Sequence, residues 1–68
     1  MKTTLAQNIR NLRKARGWTQ KELANKTGLS YSAVVSYENG LREPTGRALA
    51  ALEQIFGVTG AQIMAERR

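Results

Sequence analysis

Ser32, Val35, Ser36 and Asn39 fall at i, i+3, i+4 and i+7, so on a helix they share one face, with Tyr31 at its leading end. That face offers hydroxyls that donate or accept, one amide and one branched apolar side chain, which is chemistry for contact rather than for catalysis. The chain has five glutamates and no aspartate, histidine or cysteine. Those carboxylates form no recognisable acid–base pair, and no Ser–His or Cys–His nucleophile is available. An enzyme is therefore not expected. The same absences remove disulfides and thiolate or imidazole metal ligands, so no cofactor or metal is called for.

The elements that must position this face are legible on either side of it. Thr19 precedes an apolar-periodic run and Glu22 follows three residues later, the pattern of a capping box, so a helix is expected over Gln20 to Thr27. Leu23 and Ala24 point inward from it, and the small Ala24 lets a second helix cross closely. Gly28 stands where the chain must leave that helix, Leu29 plugs the corner, and Ser30 can cap a helix from Tyr31 to Asn39. Ala33, Val34 and Tyr37 supply its inner side, and Asn39-Gly40 a stop. Two short helices set across a tight turn form a helix-turn-helix, with the motif at about residues 19–40.

Further helices flank the pair. Thr4 with Gln7 can box a first helix whose stripe is Leu5, Ile9 and Leu12 and whose end is marked by Gly17, with Trp18 sealing the corner. After a loop through Leu41, Arg42, Glu43 and Pro44, Thr45 can cap a fourth helix with the stripe Ala48, Leu49, Leu52, Ile55 and Phe56, ended by Gly57. Thr59 with Gln62 boxes a last helix, whose apolar side is Ile63 and Met64 before Glu66, Arg67 and Arg68. No strand-period alternation and no repeat is visible. Sixty-eight residues make one all-α domain over 1–68, stabilised by efficient helix packing rather than bulk.

The formal charge of +6 suits a polyanion, and its distribution is more telling than its size. Residues 1–26 hold Lys2, Arg10, Arg13, Lys14, Arg16, Lys21 and Lys26 against Glu22, which accounts for the whole excess. In the remainder, Arg42, Arg47, Arg67 and Arg68 are matched by Glu38, Glu43, Glu53 and Glu66. The positive potential belongs to the first two helices, either as a solvated face or as the flank of a DNA site. The apolar runs are too short to span a bilayer and the N-terminus lacks a signal-peptide core, so a cytoplasmic protein without a membrane partner is expected.

The Thr19 to Gly40 stretch, TQKELANKTGLSYSAVVSYENG, resembles the helix-turn-helix of the lambda-repressor and Cro-like family, also called the XRE family. The likeness covers nearly all of the chain. IRNLRKARGWTQ is similar to that family's first helix and its exit, and YENGLREPTGRALAALEQIFGVTGAQI to its third-helix end and helices four and five. The resemblance implies a compact five-helix, lambda-repressor-like bundle that binds double-stranded DNA with its third helix in the major groove. It places base contacts on Tyr31, Ser32 and Ser36, with Val35 beside them. Members carrying glutamines could bond adenine at two points, whereas each serine here has one rotatable hydroxyl and reads less sharply. Val35 is either an ordinary exposed valine or a partner for thymine methyl groups; Tyr31 reaches sugar or phosphate, or is a plain surface tyrosine.

The resemblance also places a phosphate contact on Gln20, which in the family braces a residue of the recognition helix as well. A helix start favours anions in any case. Asn39 and Arg42 lie where the family's loop clasps the backbone, and Lys14, Lys21 or Asn8 add contacts from the flanks. Arg13 and Glu38 match a family pair that holds the recognition helix against helix one, a structural role.

Helix five and its preceding loop, the family's usual self-association surface, nominate Phe56, Val58, Ile63 and Met64. Core burial is the alternative: Phe56 and Ile63 read more readily as core, with Val58 and Met64 partly exposed. One domain covers a half-site, so a homodimer on a palindromic operator, acting as a transcriptional repressor, is the leading reading. The chain ends at Arg68, which fits a stand-alone regulator or a DNA-binding fragment. An antitoxin that binds a toxin protein and autoregulates is the alternative, and a nonspecific nucleic-acid binder is third.

Overall fold

The computed structural model describes residues 4–65. Five helices follow in order: α1 (Thr4–Ala15), α2 (Gln20–Thr27), α3 (Tyr31–Glu38), α4 (Gly46–Phe56) and α5 (Gly60–Ile63), with no strand among the described residues. Among the described residues the arrangement is the all-helical, five-helix bundle expected from the sequence. Lys2, Glu66, Arg67 and Arg68, counted in the charge distribution, lie outside the described residues.

Every helix sends at least one side chain into a shared core: Ile9 from α1, Leu23 and Ala24 from α2, Ala33, Val34 and Tyr37 from α3, Ala48, Leu52 and Phe56 from α4, and Ile63 from α5. Full burial of each large aliphatic stabilises the fold by roughly 1.5–3 kcal/mol, so no single helix is dispensable. Leu5, Leu12, Trp18, Leu29, Leu49, Ile55 and Val58 pack around this centre half-buried. α3 lies against both α1 and α2, while α4 and α5 close the far side against α2 and α1. Ala24 and Ala33 are both buried where α2 and α3 approach, as two small residues at a close crossing should be.

Local signals explain most boundaries, with three differences from expectation. α3 ends at Glu38 rather than Asn39, because Asn39 is already the C-cap, its N–H bonded back to the carbonyls of Val35 and Tyr37. Thr4 is already helical, so it does not serve as the cap of a Thr4–Gln7 box. Thr45 occupies the N-cap of α4 with extended backbone but makes no side-chain capping bond. Its third helical neighbour is Ala48, which has nothing to return, whereas Thr59 and Gln62 bond each other's backbone at 3.0 and 2.8 Å.

Candidate nucleic-acid interface

The geometry of the central helix pair begins at Thr19. Its hydroxyl accepts from the Glu22 N–H at 3.1 Å and its own N–H donates to Glu22 Oε1 at 2.8 Å, closing the expected capping box. The Thr19 backbone N–H, then the Thr19 side chain, and further the Lys26 charge hold the Glu22 carboxyl below its usual range. α2 then stops at Gly28, whose φ of 74° is left-handed and free of penalty only for glycine. The Leu29 N–H returns to Ala24 O at 3.1 Å, and Ser30 Oγ accepts from the Ala33 N–H at 3.0 Å to start α3. The three residues of the corner, Gly28, Leu29 and Ser30, thus set the angle between the two helices.

α3 is divided by this docking into two faces. Ala33, Val34, Tyr37 and Glu38 are buried. Tyr31 is 50% exposed, Ser32 and Asn39 are exposed, and Val35 and Ser36 are half-buried along the outer side. The outer face therefore carries hydroxyls, an amide and apolar surface, and no charge.

The far end of α3 is locked by an ion pair. Glu38 is 1% exposed, and its carboxylate receives Arg13 Nε at 2.7 Å and Arg13 Nη2 at 3.0 Å. Arg13 Nη1 also donates to the Trp18 carbonyl at 2.7 Å. Gln20 Nε2 donates to Glu38 Oε1 at 3.3 Å, so the side chain at the start of α2 braces the end of α3. The two-pronged guanidinium supplies both charge and direction, which a lysine would not. No buried side-chain nitrogen or oxygen among the described residues lacks a hydrogen-bond partner.

The basic residues separate into two groups by what they touch. The Arg16 guanidinium lies 5.2 Å from the Phe56 ring centroid and 5.7 Å from that of Trp18, and donates to the Phe56 carbonyl at 2.8 Å. Lys26 Nζ lies 4.9 Å from the Trp18 centroid. These two cations cover the stacked Trp18–Phe56 pair, whose centroids are 6.0 Å apart. Lys14 and Lys21 are exposed on α1 and α2. Arg42 is exposed, with its guanidinium carbon 5.8 Å from the Tyr37 centroid and its backbone turned back to α3 through bonds from the Leu41 and Arg42 N–H groups to Ser36 O.

Three expected positions need correction. Asn8 is not a flank contact: it is buried, and its side-chain amide donates to Ile63 O at 2.7 Å and Ala65 O at 2.8 Å, tying α1 to the end of α5. Phe56 and Ile63 are 2% and 1% exposed, so their side chains belong to the core of the protomer and present no surface to a second copy. Val58 remains half-buried and Met64 is 50% exposed. The roles of Asn8, Arg16 and Lys26 carried no signal in the sequence, since each partner is set by tertiary packing.

Comparison with known proteins agrees with this geometry. A family model described as helix-turn-helix matches residues 9–63. The chain is 33% identical over 64 residues to the uncharacterized HTH-type transcriptional regulator y4dJ of Sinorhizobium fredii, covering 94% of this chain and 83% of that one. It is 30% identical over 60 residues to the HTH-type transcriptional regulator AnsR of Bacillus subtilis, covering 88% of this chain and 52% of AnsR, and so spans about half of that relative. Among solved structures, SinR, the master regulator for biofilm formation, in complex with DNA superposes with a TM-score of 0.83 at 27% identity, over 90% of this chain and 98% of that one. The restriction-modification controller protein C.AhdI of Aeromonas hydrophila gives 0.82 at 28% identity, over 90% and 92%. An α3 held by α1 and α2, a left-handed glycine at the corner and a family match across most of the chain lead to one conclusion: the chain belongs to the XRE-type helix-turn-helix family and is a DNA-binding regulator rather than an enzyme.

Proposed function

We propose that this chain is a repressor that binds a two-fold symmetric DNA operator as a dimer. Each protomer lays α3 into a major groove, with Tyr31, Ser32, Val35 and Ser36 toward base edges and Gln20, Asn39, Arg42, Lys14 and Lys21 toward phosphates. The observation that carries this reading is the immobilised α3. Its inner side is buried and its last residue, Glu38, is held from both α1 and α2, so its uncharged outer face is presented at a fixed angle. The Gln20 side-chain amide gives one N–H to Glu38, which leaves its second N–H and the backbone N–H groups of the α2 start for a phosphate.

The second copy is assigned to the α1–α5 side. Val58 and Met64 supply apolar surface there, beside a groove lined by Asn11, Leu12, Ala15, Val58 and Gln62 together with Asn8 and Ala65, none of them charged. On a molecule of charge +6, an uncharged face is where a like copy approaches with least repulsion.

Selection of bound sites from a random duplex library, at physiological salt with excess competitor DNA, tests the reading. A two-fold symmetric motif with half-sites about 34–36 Å apart is expected. Failure to enrich any motif would remove the operator and bring forward the antitoxin reading, in which protein contact is the main activity.

A further inference from the structure

We propose that the outer face of α3 reads the 5-methyl group of pyrimidines, with Val35 as the reading side chain, so that binding discriminates thymine from uracil and responds to 5-methylcytosine. The inference rests on the operator-binding reading and names the feature of the base that is recognised.

The side chains that usually read guanine, cytosine and adenine at two points are Arg or Lys, Asp or Glu, and Asn or Gln respectively. The outward positions of α3 are Tyr31, Ser32, Val35 and Ser36, and none belongs to those classes. The one charged residue in the helix, Glu38, is buried against Arg13. Asn39 is the C-cap, at the trailing end of the face. Serine hydroxyls donate or accept and so tolerate several bases. What remains with chemical selectivity is apolar surface.

Val35 is the centre of that surface. Leu5, Leu12, Leu29 and Val58 are also half-buried and pack on the core, but Val35, among the described residues, does not. Tyr31 precedes it by four residues and Ser32 by three, so both are its neighbours on the helix, and the exposed tyrosine ring extends the apolar strip toward the leading end. In the major groove the one apolar group on a base edge is the C5-methyl of thymine. 5-Methylcytosine carries its methyl at the same carbon, so the same valine meets it.

The test uses the duplex recovered by site selection. Each thymine of a half-site is replaced in turn by deoxyuridine, which removes the methyl and nothing else. At the sensitive position the pair is also changed to cytosine–guanine with and without the 5-methyl. One deoxyuridine substitution is expected to weaken binding about fourfold, the effect of one buried methyl-sized group. The 5-methylcytosine duplex is expected to bind tighter than its cytosine counterpart by a similar factor. Val35→Ala should bind both members of each pair equally, and Tyr31→Ala should keep the difference. Because uracil alters the DNA and not the protein, the first arm does not depend on a variant folding. A specific motif indifferent to every uracil substitution, or a methyl effect undiminished in Val35→Ala, would overturn the inference and leave operator binding standing. Absence of any motif would overturn both.

Discussion

Arg13 and Glu38, separated by 25 residues of chain, meet at two points, Nε to Oε2 at 2.7 Å and Nη2 to Oε1 at 3.0 Å, with the glutamate side chain 2% and the arginine side chain 12% exposed. The pair joins α1 to the last turn of α3 and so fixes that helix at the end remote from the corner. Removing one partner strands the other in the interior. Glu38→Ala is expected to lose about 3–5 kcal/mol. A chain of this size has a total stability on the order of 3–10 kcal/mol, so the variant should be largely unfolded or melt far lower. The double variant Arg13→Met with Glu38→Leu should be more stable than Glu38→Ala alone, because no charge is stranded. Thermal melts of the set decide this, and an unshifted melt for Glu38→Ala would exclude a structural role.

Asn8 makes the corresponding tie at the other end of the bundle. Its two amide hydrogens satisfy the carbonyls of Ile63 and Ala65, the former in the last turn of the four-residue α5. Asn8→Ala leaves those acceptors to find other partners, and about 1–3 kcal/mol should be lost in urea unfolding. Asn8→Asp replaces the donors with a carboxylate facing two carbonyl oxygens and should be worse. Neither substitution should alter the salt dependence of DNA binding in the folded fraction; a reduced dependence would return Asn8 to the DNA surface.

What could be read from sequence was what is local. Thr19 with Glu22, Thr59 with Gln62, Gly28 and the inner and outer sides of α3 all follow from spacings of three or four residues and from the one residue type that tolerates positive φ. Asn8 and Arg16 were opaque because their partners lie 55 and 40 residues away and are backbone carbonyls, which carry no identity in a sequence. The Arg13–Glu38 pair came from family likeness and not from spacing. Thr45 shows the limit of a residue-type signal: without a Glu or Gln at Ala48 the box has no second half. Phe56 and Ile63 were ambiguous because an apolar residue at a helix end serves a core and an interface equally well in one dimension.

The division of the cations predicts which ones DNA feels. Each phosphate contact contributes about 0.9 to the slope of log K against log salt. Lys14→Ala, Lys21→Ala and Arg42→Ala are each expected to flatten that slope by about one unit per protomer. Arg16→Ala and Lys26→Ala should leave the slope unchanged and lower the melting temperature, since those side chains lie on the Trp18–Phe56 stack. Titrations at several salt concentrations separate the two groups, and equal slopes for all five variants would mean that the positive charge acts only as a diffuse field.

The Glu22 carboxyl gives the fold a measurable dependence on acid. Folding lowers its pKa from the ordinary 4.5 through the Thr19 N–H first, then the Thr19 side chain and Lys26. A group with a depressed folded pKa stabilises the native state above its unfolded value, and that contribution is lost as pH falls through the lower folded value. Glu22→Gln isolates this effect, because glutamine completes the same capping box without the charge. Wild type should therefore melt above Glu22→Gln near neutral pH, and the difference should begin to shrink once pH falls below about 4.5. At more acid pH, where the wild-type carboxyl is protonated in both states, the charge-dependent part of the difference should be gone. Melts of both proteins along one pH series test the sign. A difference that stays constant, or that grows on acidification, would show that the capping box works without help from the charge, and the helix start would then owe its stability to hydrogen-bond geometry alone.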